Sequence, residues 1–226
     1  MAANQAEIIA TIADKGIEWQ MQELEALQEA SRGRLRECRR LSQLASDGAL
    51  REKAEGLAAW YAIDRSSVEV AFGYPSEARQ WAKEAARVSQ HENPWAALFL
   101  ARAGDPVDAQ TLADELAKRS PKDTLMNELN LPMIRAALAI SHGDGVAGEI
   151  ALRPAQLYSK TGVESVYLRG LAYRASKRGK EAATEFQQVI DRRGNFPLWI
   201  EHAIAGCLTV LGKLLSVPGY RFLFSR

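Results

Sequence analysis

The stretch VYLRGLAYRASKRGKEAATEFQQVI, residues 166–190, decides the fold class of this chain. Its apolar residues recur at helical spacing on both sides of a short polar turn, Ser176 to Gly179. The pattern predicts one helix over about 163–175 and a second over about 180–191. Ala182 is the small residue that a close crossing of the two helices requires, and Tyr173 and Phe186 are placed to fill the gap between neighbouring pairs.

The same arrangement recurs along the chain. Small residues that follow a Gly-marked or polar turn and open an amphipathic helix are Cys38, Ala78, Ala109, Gly148 and Ala182. Successive anchors lie 40, 31, 39 and 34 residues apart. A period in this range is typical of helical repeat arrays, in which each unit packs only on its neighbours.

The remaining segments read as further helices. They are predicted over about 17–30, 35–45, 49–72, 77–88, 94–103, 107–119, 133–141 and 146–152, with another beginning near 198. Asp47-Gly48 is expected to close a pair, Ser76 to be an N-cap, and Asn93-Pro94 and Asp123 to begin helices. Pro132 either begins a helix or kinks a continuing one. We therefore expect an all-α right-handed superhelix of five helix pairs and part of a sixth.

Composition excludes several classes of protein. The chain of 226 residues has 29 basic and 28 acidic residues and a net charge of +1, so nothing directs it as a whole to nucleic acid or acidic lipid. No signal peptide or membrane span is evident, and a cytoplasmic protein is expected. The two cysteines, Cys38 and Cys207, are predicted to be buried free thiols.

These residues resemble the tetratricopeptide repeat, whose pattern of Gly, Tyr, Ala and Phe spans a helix pair. The residues that follow the pattern are Val166, Gly170, Tyr173, Ala182, Phe186 and Val189, with Ala109, Ala113, Leu116 and Pro121 matching its second half. Ser42 and Gly148 depart from it. The resemblance implies a stack of antiparallel helix pairs whose first helices line a concave groove.

A narrower resemblance covers roughly residues 17–206. The runs at 112–124, 131–139, 166–173 and 185–194 are similar to the C-terminal repeat region of bacterial eukaryotic-like serine/threonine kinases, acidobacterial members above all, and of some winged-helix regulators. The sequence has no GxGxxG loop, VAIK lysine, HRD loop or DFG motif, so the resemblance implies the repeat module without phosphotransfer.

No catalytic residue, cofactor or metal site is predicted. The arginine cluster Arg32, Arg34, Arg36, Arg39 and Arg40 is expected to be a solvated outer face, with a phosphate or acidic-peptide contact as the alternative. The run HGDG, 142–145, is expected to be an inter-helix turn. His91, His142 and His202 lack the spacing of metal ligands.

The remaining candidate is a peptide-binding surface in the groove, formed by Trp60, Arg102, Tyr167 and Arg174. Aromatic and Arg residues suit interaction hot spots. Packing of Trp60 and Tyr167 between helices is the alternative.

Together these patterns predict a non-catalytic scaffold for a protein or peptide partner. The alternative is a detached or truncated sensor region of a serine/threonine kinase or winged-helix regulator. Residues 1–16 are expected to be an extension, 17–206 the repeat array, and 207–226 an atypical apolar tail from a frameshifted or truncated coding sequence.

Overall fold

The computed structural model describes residues 17–160 and 162–192. Helix accounts for 80% of these residues, and they include no strand. The ten α-helices of the described ranges are α1 (Glu18–Ser31), α2 (Leu35–Arg51), α3 (Glu55–Ala71), α4 (Pro75–Val88), α5 (Pro94–Arg102), α6 (Pro106–Arg119), α7 (Leu131–Ser141), α8 (Gly145–Ala151), α9 (Glu164–Ala175) and α10 (Gly179–Asp191). A π-helical turn, Met126–Asn130, precedes α7, and a 3-10 turn, Pro154–Tyr158, follows α8.

The helices pack in consecutive pairs, α1 with α2 through to α9 with α10. The first helix of each pair also contacts the first helix of the next, so that α1, α3, α5, α7 and α9 form a row. The predicted all-α fold and its five pairs are confirmed. The predicted sixth pair, Cys207, His202 and the tail lie outside the described residues.

All five predicted anchors lie on second helices and are buried. Cys38, Ala78, Ala109 and Ala182 are at most 1% exposed. Gly148 is also buried, and a Cβ atom there would lie 2.9 Å from Cγ1 of Ile140 on α7. Small residues are therefore present where the helices of a pair approach each other.

One turn geometry ends the first helix of every pair. The second residue after each of these helices has a positive φ, 79° at Gly33, 81° at Gly73, 75° at Gly104, 80° at Gly143 and 60° at Lys177. In each case the next residue donates its N–H to the carbonyl five residues earlier, at 2.8–3.0 Å, as in a Schellman motif. Each anchor lies five residues after such a turn residue. The five pairs therefore share one turn geometry and the same distance in sequence, five residues, from the turn residue to the anchor.

Gly48 is the clearest correction to the predicted boundaries. It does not close the first pair, because α2 continues through it to Arg51, and the turn that follows contains Lys53 with φ 56°. A Cβ atom at Gly48 would lie 2.4 Å from Cβ of Trp19, so glycine is present here for close packing of α1 on α2. The predicted long helix over 49–72 is accordingly two helices.

Helix caps agree with the sequence except at Ser76. Asn93 accepts a hydrogen bond from the N–H of Trp95 at 3.0 Å, and Asp123 accepts one from Met126 at 2.9 Å. Asp144 in the HGDG turn accepts one from Ala147 at 2.8 Å. Ser76 is not an N-cap, because α4 already begins at Pro75 after Tyr74.

Pro132 lies in the first turn of α7, in agreement with the first of its two predicted alternatives, that it begins a helix. This first turn comes immediately after the π-helical turn. A proline inside an α-helix clashes with the carbonyl four residues earlier, which here is Glu128 within that turn. The wider π-helical turn moves this carbonyl out of α-helical register and lets the helix continue.

Candidate functional site

The first helices carry a continuous row of aromatic and arginine side chains. The ring centroids of Trp60 and Trp95 lie 6.2 Å apart, and those of Trp95 and Phe99 lie 6.5 Å apart. The guanidinium carbon of Arg102 lies 4.9 Å from the Phe99 ring centroid and 5.1 Å from that of Tyr167. The aromatic–arginine row, Trp60–Trp95–Phe99–Arg102–Tyr167, therefore links α3, α5 and α9.

A cavity of about 370 Å³ adjoins the α9 end of this row. Its lining comes from α3, α5, α7 and α9, and comprises Val70, Ala71, Arg102, Ala137, Ile140, Ser141, Tyr167, Leu168, Leu171 and Arg174. Three of the four residues predicted for the groove thus line one cavity. The fourth, Trp60, lies at the other end of the row and does not line it.

Arg102 is held by charge as well as by stacking. Its guanidinium forms an ion pair with Glu164 at 3.0 Å, and the two side chains are only 5% and 3% exposed. A buried arginine without a carboxylate would be strongly destabilising, so this pair fixes α9 against α5. Arg102 therefore has a structural role at the base of the cavity.

The two aromatic candidates have different environments. Tyr167 is 4% exposed and packs on Phe186, with ring centroids 5.7 Å apart, so for Tyr167 the alternative of packing between helices is correct. Trp60 packs on Trp95 but remains 44% exposed. Trp60 therefore offers an accessible aromatic surface.

Arg174 is the accessible charge at the cavity. It lies in the last turn of α9, is exposed, and forms no ion pair with any residue in the described ranges. Exposed Trp60 and exposed Arg174 are therefore the two ends of the surface that a partner could contact.

The predicted solvated arginine face is wrong at Arg39. This side chain donates to both carboxylate oxygens of Glu69 on α3, at 3.0 and 2.7 Å. Arg32 and Arg34 are exposed and pair with Glu29, and Arg40 is exposed and pairs with Glu37. The cluster therefore divides into a solvated part and one residue that fastens the first pair to the second.

Two histidines have ordinary structural positions. His91, with φ 64°, lies in a turn with Nδ1 3.2 Å from Glu115, and His142 Nδ1 is 2.8 Å from the Leu138 carbonyl oxygen. Among the described residues no three His, Cys, Asp or Glu side chains are grouped as metal ligands.

A buried polar cluster between the first two pairs was missed by sequence reasoning. Fully buried Glu69 accepts hydrogen bonds from Arg39 and from Arg65, the latter at 2.6 Å. Glu23 on α1 is 3% exposed, and burial together with the nearby Asp64 carboxylate raises the pKa of its carboxyl to about 8. The available signal was Glu69 itself, an acid placed between Val68 and Val70 in an apolar stretch.

Cys38 lies beside this cluster. Its thiol is 1% exposed, and burial raises its pKa to about 12, so the prediction of a buried free thiol is confirmed for this residue. A buried thiol that stays protonated is unreactive, so Cys38 contributes to packing.

Comparison with known proteins identifies no relative. No family model, no curated protein and no solved structure matches the chain. Within the part of the chain that the structure describes, none of the helices has the length and apolar character needed to cross a bilayer.

Proposed function

We propose that this chain is a tetratricopeptide-like scaffold that binds a protein partner along its first helices, without catalysing a reaction. The observation that carries the proposal is the aromatic–arginine row with its adjoining cavity. The buried side chains of Phe99, Arg102 and Tyr167 give the surface a rigid base, while Trp60 and Arg174 remain accessible. Tryptophan and arginine are the side chains most enriched at interaction hot spots.

The repeat geometry supports the same proposal. Five pairs end their first helix with the same left-handed turn and place a small buried residue five positions later. Repetition of one packing step is how solenoids generate an extended concave surface. We accordingly propose a right-handed superhelix with α1, α3, α5, α7 and α9 on its concave side.

Affinity capture with matched variants tests the function. The wild-type chain, an inner-surface variant (Trp60→Ala with Arg174→Gln) and an outer-helix control (Gln110→Ala with Arg36→Gln) serve as baits. All four positions are exposed, so the variants are expected to fold. The proposal expects a partner that the wild type and the control retain and the inner-surface variant loses. A partner lost by the control and kept by the inner-surface variant would contradict it.

A further inference from the structure

We infer that the cavity beside Arg174 receives an apolar side chain of the partner and that Arg174 binds a side-chain carboxylate next to it. This inference rests on the proposed function, since it names the chemistry of the segment that the groove would bind. The partner is therefore a polypeptide segment in which an aliphatic residue adjoins Asp or Glu.

The uncharged part of the cavity wall is mostly apolar. Val70 and Ala71 come from α3, Ala137 and Ile140 from α7, and Leu168 and Leu171 from α9. A volume of about 370 Å³ is near the lower limit of ligand pockets, which is roughly 300 Å³. Such a wall favours an aliphatic side chain, because burying apolar surface on both partners is the main gain available there.

The charged residues described in the cavity lining are all basic. Among the described residues that line the cavity, only Arg102 and Arg174 are charged, and none of these residues carries a carboxylate. Glu164 already compensates Arg102 at 3.0 Å, whereas Arg174 has no acidic partner among the described residues. The unmatched positive charge at the rim is thus that of Arg174, and a guanidinium binds a carboxylate through two parallel hydrogen bonds.

The polar group on the α7 side of the cavity does not compete for the carboxylate. Ser141 donates its hydroxyl to the carbonyl oxygen of Leu138 at 2.7 Å, so donating it to an incoming anion would require this hydrogen bond to break. The carboxylate is thereby directed to Arg174.

We commit to a side-chain carboxylate rather than a chain terminus. The aromatic–arginine row continues from Tyr167 to exposed Trp60, well beyond the cavity, so a segment that contacts both ends passes through the site. An acid within the segment meets this requirement, and a terminal carboxylate would leave one end of the row uncovered.

Peptide arrays test the inference with stated probes. Four mixtures of nonapeptides have randomised flanks, blocked termini and a central Leu-Glu, Leu-Gln, Leu-Lys or Gly-Glu pair. The labelled full chain is applied to each mixture, together with Arg174→Gln and with Arg36→Gln, which removes an exposed arginine on α2. A fifth mixture, Leu-Gln with a free C-terminal carboxylate, measures the contribution of a chain terminus.

We expect the wild type to prefer Leu-Glu over Leu-Gln by about tenfold, the lower end of what a hydrogen bond between charged groups provides. The wild type should also bind the Leu-Glu mixture more strongly than the Leu-Lys and Gly-Glu mixtures. Arg174→Gln should abolish the preference for Glu over Gln, and Arg36→Gln should keep it.

Several results would overturn the inference. They are equal binding of Leu-Glu and Leu-Gln, a preference unchanged in Arg174→Gln, a preference for the free terminus, and no binding to any mixture. If the preference is absent while the inner-surface variant still loses its captured partner, the ligand chemistry is wrong and the scaffold function stands. If both fail, the scaffold function fails as well.

Discussion

Gly170 lies against the ring of Phe186, and the two residues define how closely α9 approaches α10. A Cβ atom at Gly170 would lie 2.5 Å from Cε1 of Phe186, whose side chain is fully buried. The ring cannot swing aside, since close-packed interiors accommodate little added volume. The absence of a side chain at position 170 therefore permits the ring to lie between the helices.

Replacing Gly170 by Ala should destabilise the protein. The added methyl group overpacks the contact with Phe186, and we expect a loss of about 1–3 kcal/mol in the free energy of unfolding despite the better helix propensity of alanine. Urea denaturation followed by circular dichroism measures it. The matched control is Gly56→Ala on α3, where a Cβ atom would meet nothing within 4 Å and where we expect unchanged or higher stability. Equal midpoints for the two variants would show that the α9–α10 packing is wrong.

The small anchors should tolerate no large side chain. Ala109 and Ala182 are 0% and 1% exposed, and Leu at either position should cost roughly 1–3 kcal/mol. Hydrogen exchange should show the loss first in the pair that carries the substitution, because stability in repeat arrays depends mainly on neighbours. Gln110→Leu and Gln187→Leu, at exposed positions of α6 and α10, are the controls. If the Leu variants of Ala109 and Ala182 unfold at the same temperature as the wild type, these residues do not lie at the helix crossings.

Replacing Lys177 by glycine should stabilise the protein. It has φ 60°, where the corresponding residue of the other four turns is glycine. A residue with a Cβ atom pays a penalty in the left-handed region, so Lys177→Gly should stabilise the protein by up to roughly 1 kcal/mol. Gly143→Ala makes the opposite change at a residue with φ 80°, where an added Cβ atom would meet nothing within 4 Å. The loss of stability that we expect from it is therefore due to the backbone conformation alone. A shift of the thermal midpoint in the same direction for both variants would contradict this account of the turns.

The buried Glu23 carboxyl should make stability fall as pH rises. Burial is the largest cause that raises its pKa from 4.5 to about 8, Asp64 acts in the same direction, and Ser42 and Arg65 offset part of the shift. Between these two values the folded chain holds a proton that the unfolded chain has released. The free energy of unfolding therefore falls with a slope of at most about 1.4 kcal/mol per pH unit and levels off above pH 8.

Glu23→Gln removes this titration, so the stability of the variant relative to the wild type should increase as pH rises from 5 to 8. Glu25→Gln, exposed on the same helix, should run parallel to the wild type. Denaturant titrations at pH 5, 6.5 and 8 provide the comparison. A constant difference between Glu23→Gln and wild type over this range would mean that the carboxyl does not titrate there.

Local patterns in the sequence were sufficient to predict the helices and their pairing, because helical periodicity, glycine turns and small anchors act within one pair. They failed where a residue's role depends on a distant neighbour. Gly48 follows an aspartate like a turn glycine, yet it lies under Trp19, 29 positions away. Arg39 belongs to a charged run, yet it pairs with Glu69, 30 positions away.

The candidate site was predictable in part for the same reason. Counting from the turns brought Arg102, Tyr167 and Arg174 to one cavity, but the burial of Arg102 depends on Glu164, 62 positions away. The likeness to kinase-associated repeats stays a prediction.

Site-specific photo-cross-linking tests the central claim most directly. A photoreactive amino acid replaces Trp60, Arg174 or Val146 in turn; Val146 is 59% exposed on α8, the second helix of its pair. The account predicts that cross-links to the captured partner form from positions 60 and 174 and not from position 146. Cross-links from position 146 alone would place the partner on the second helices and contradict it.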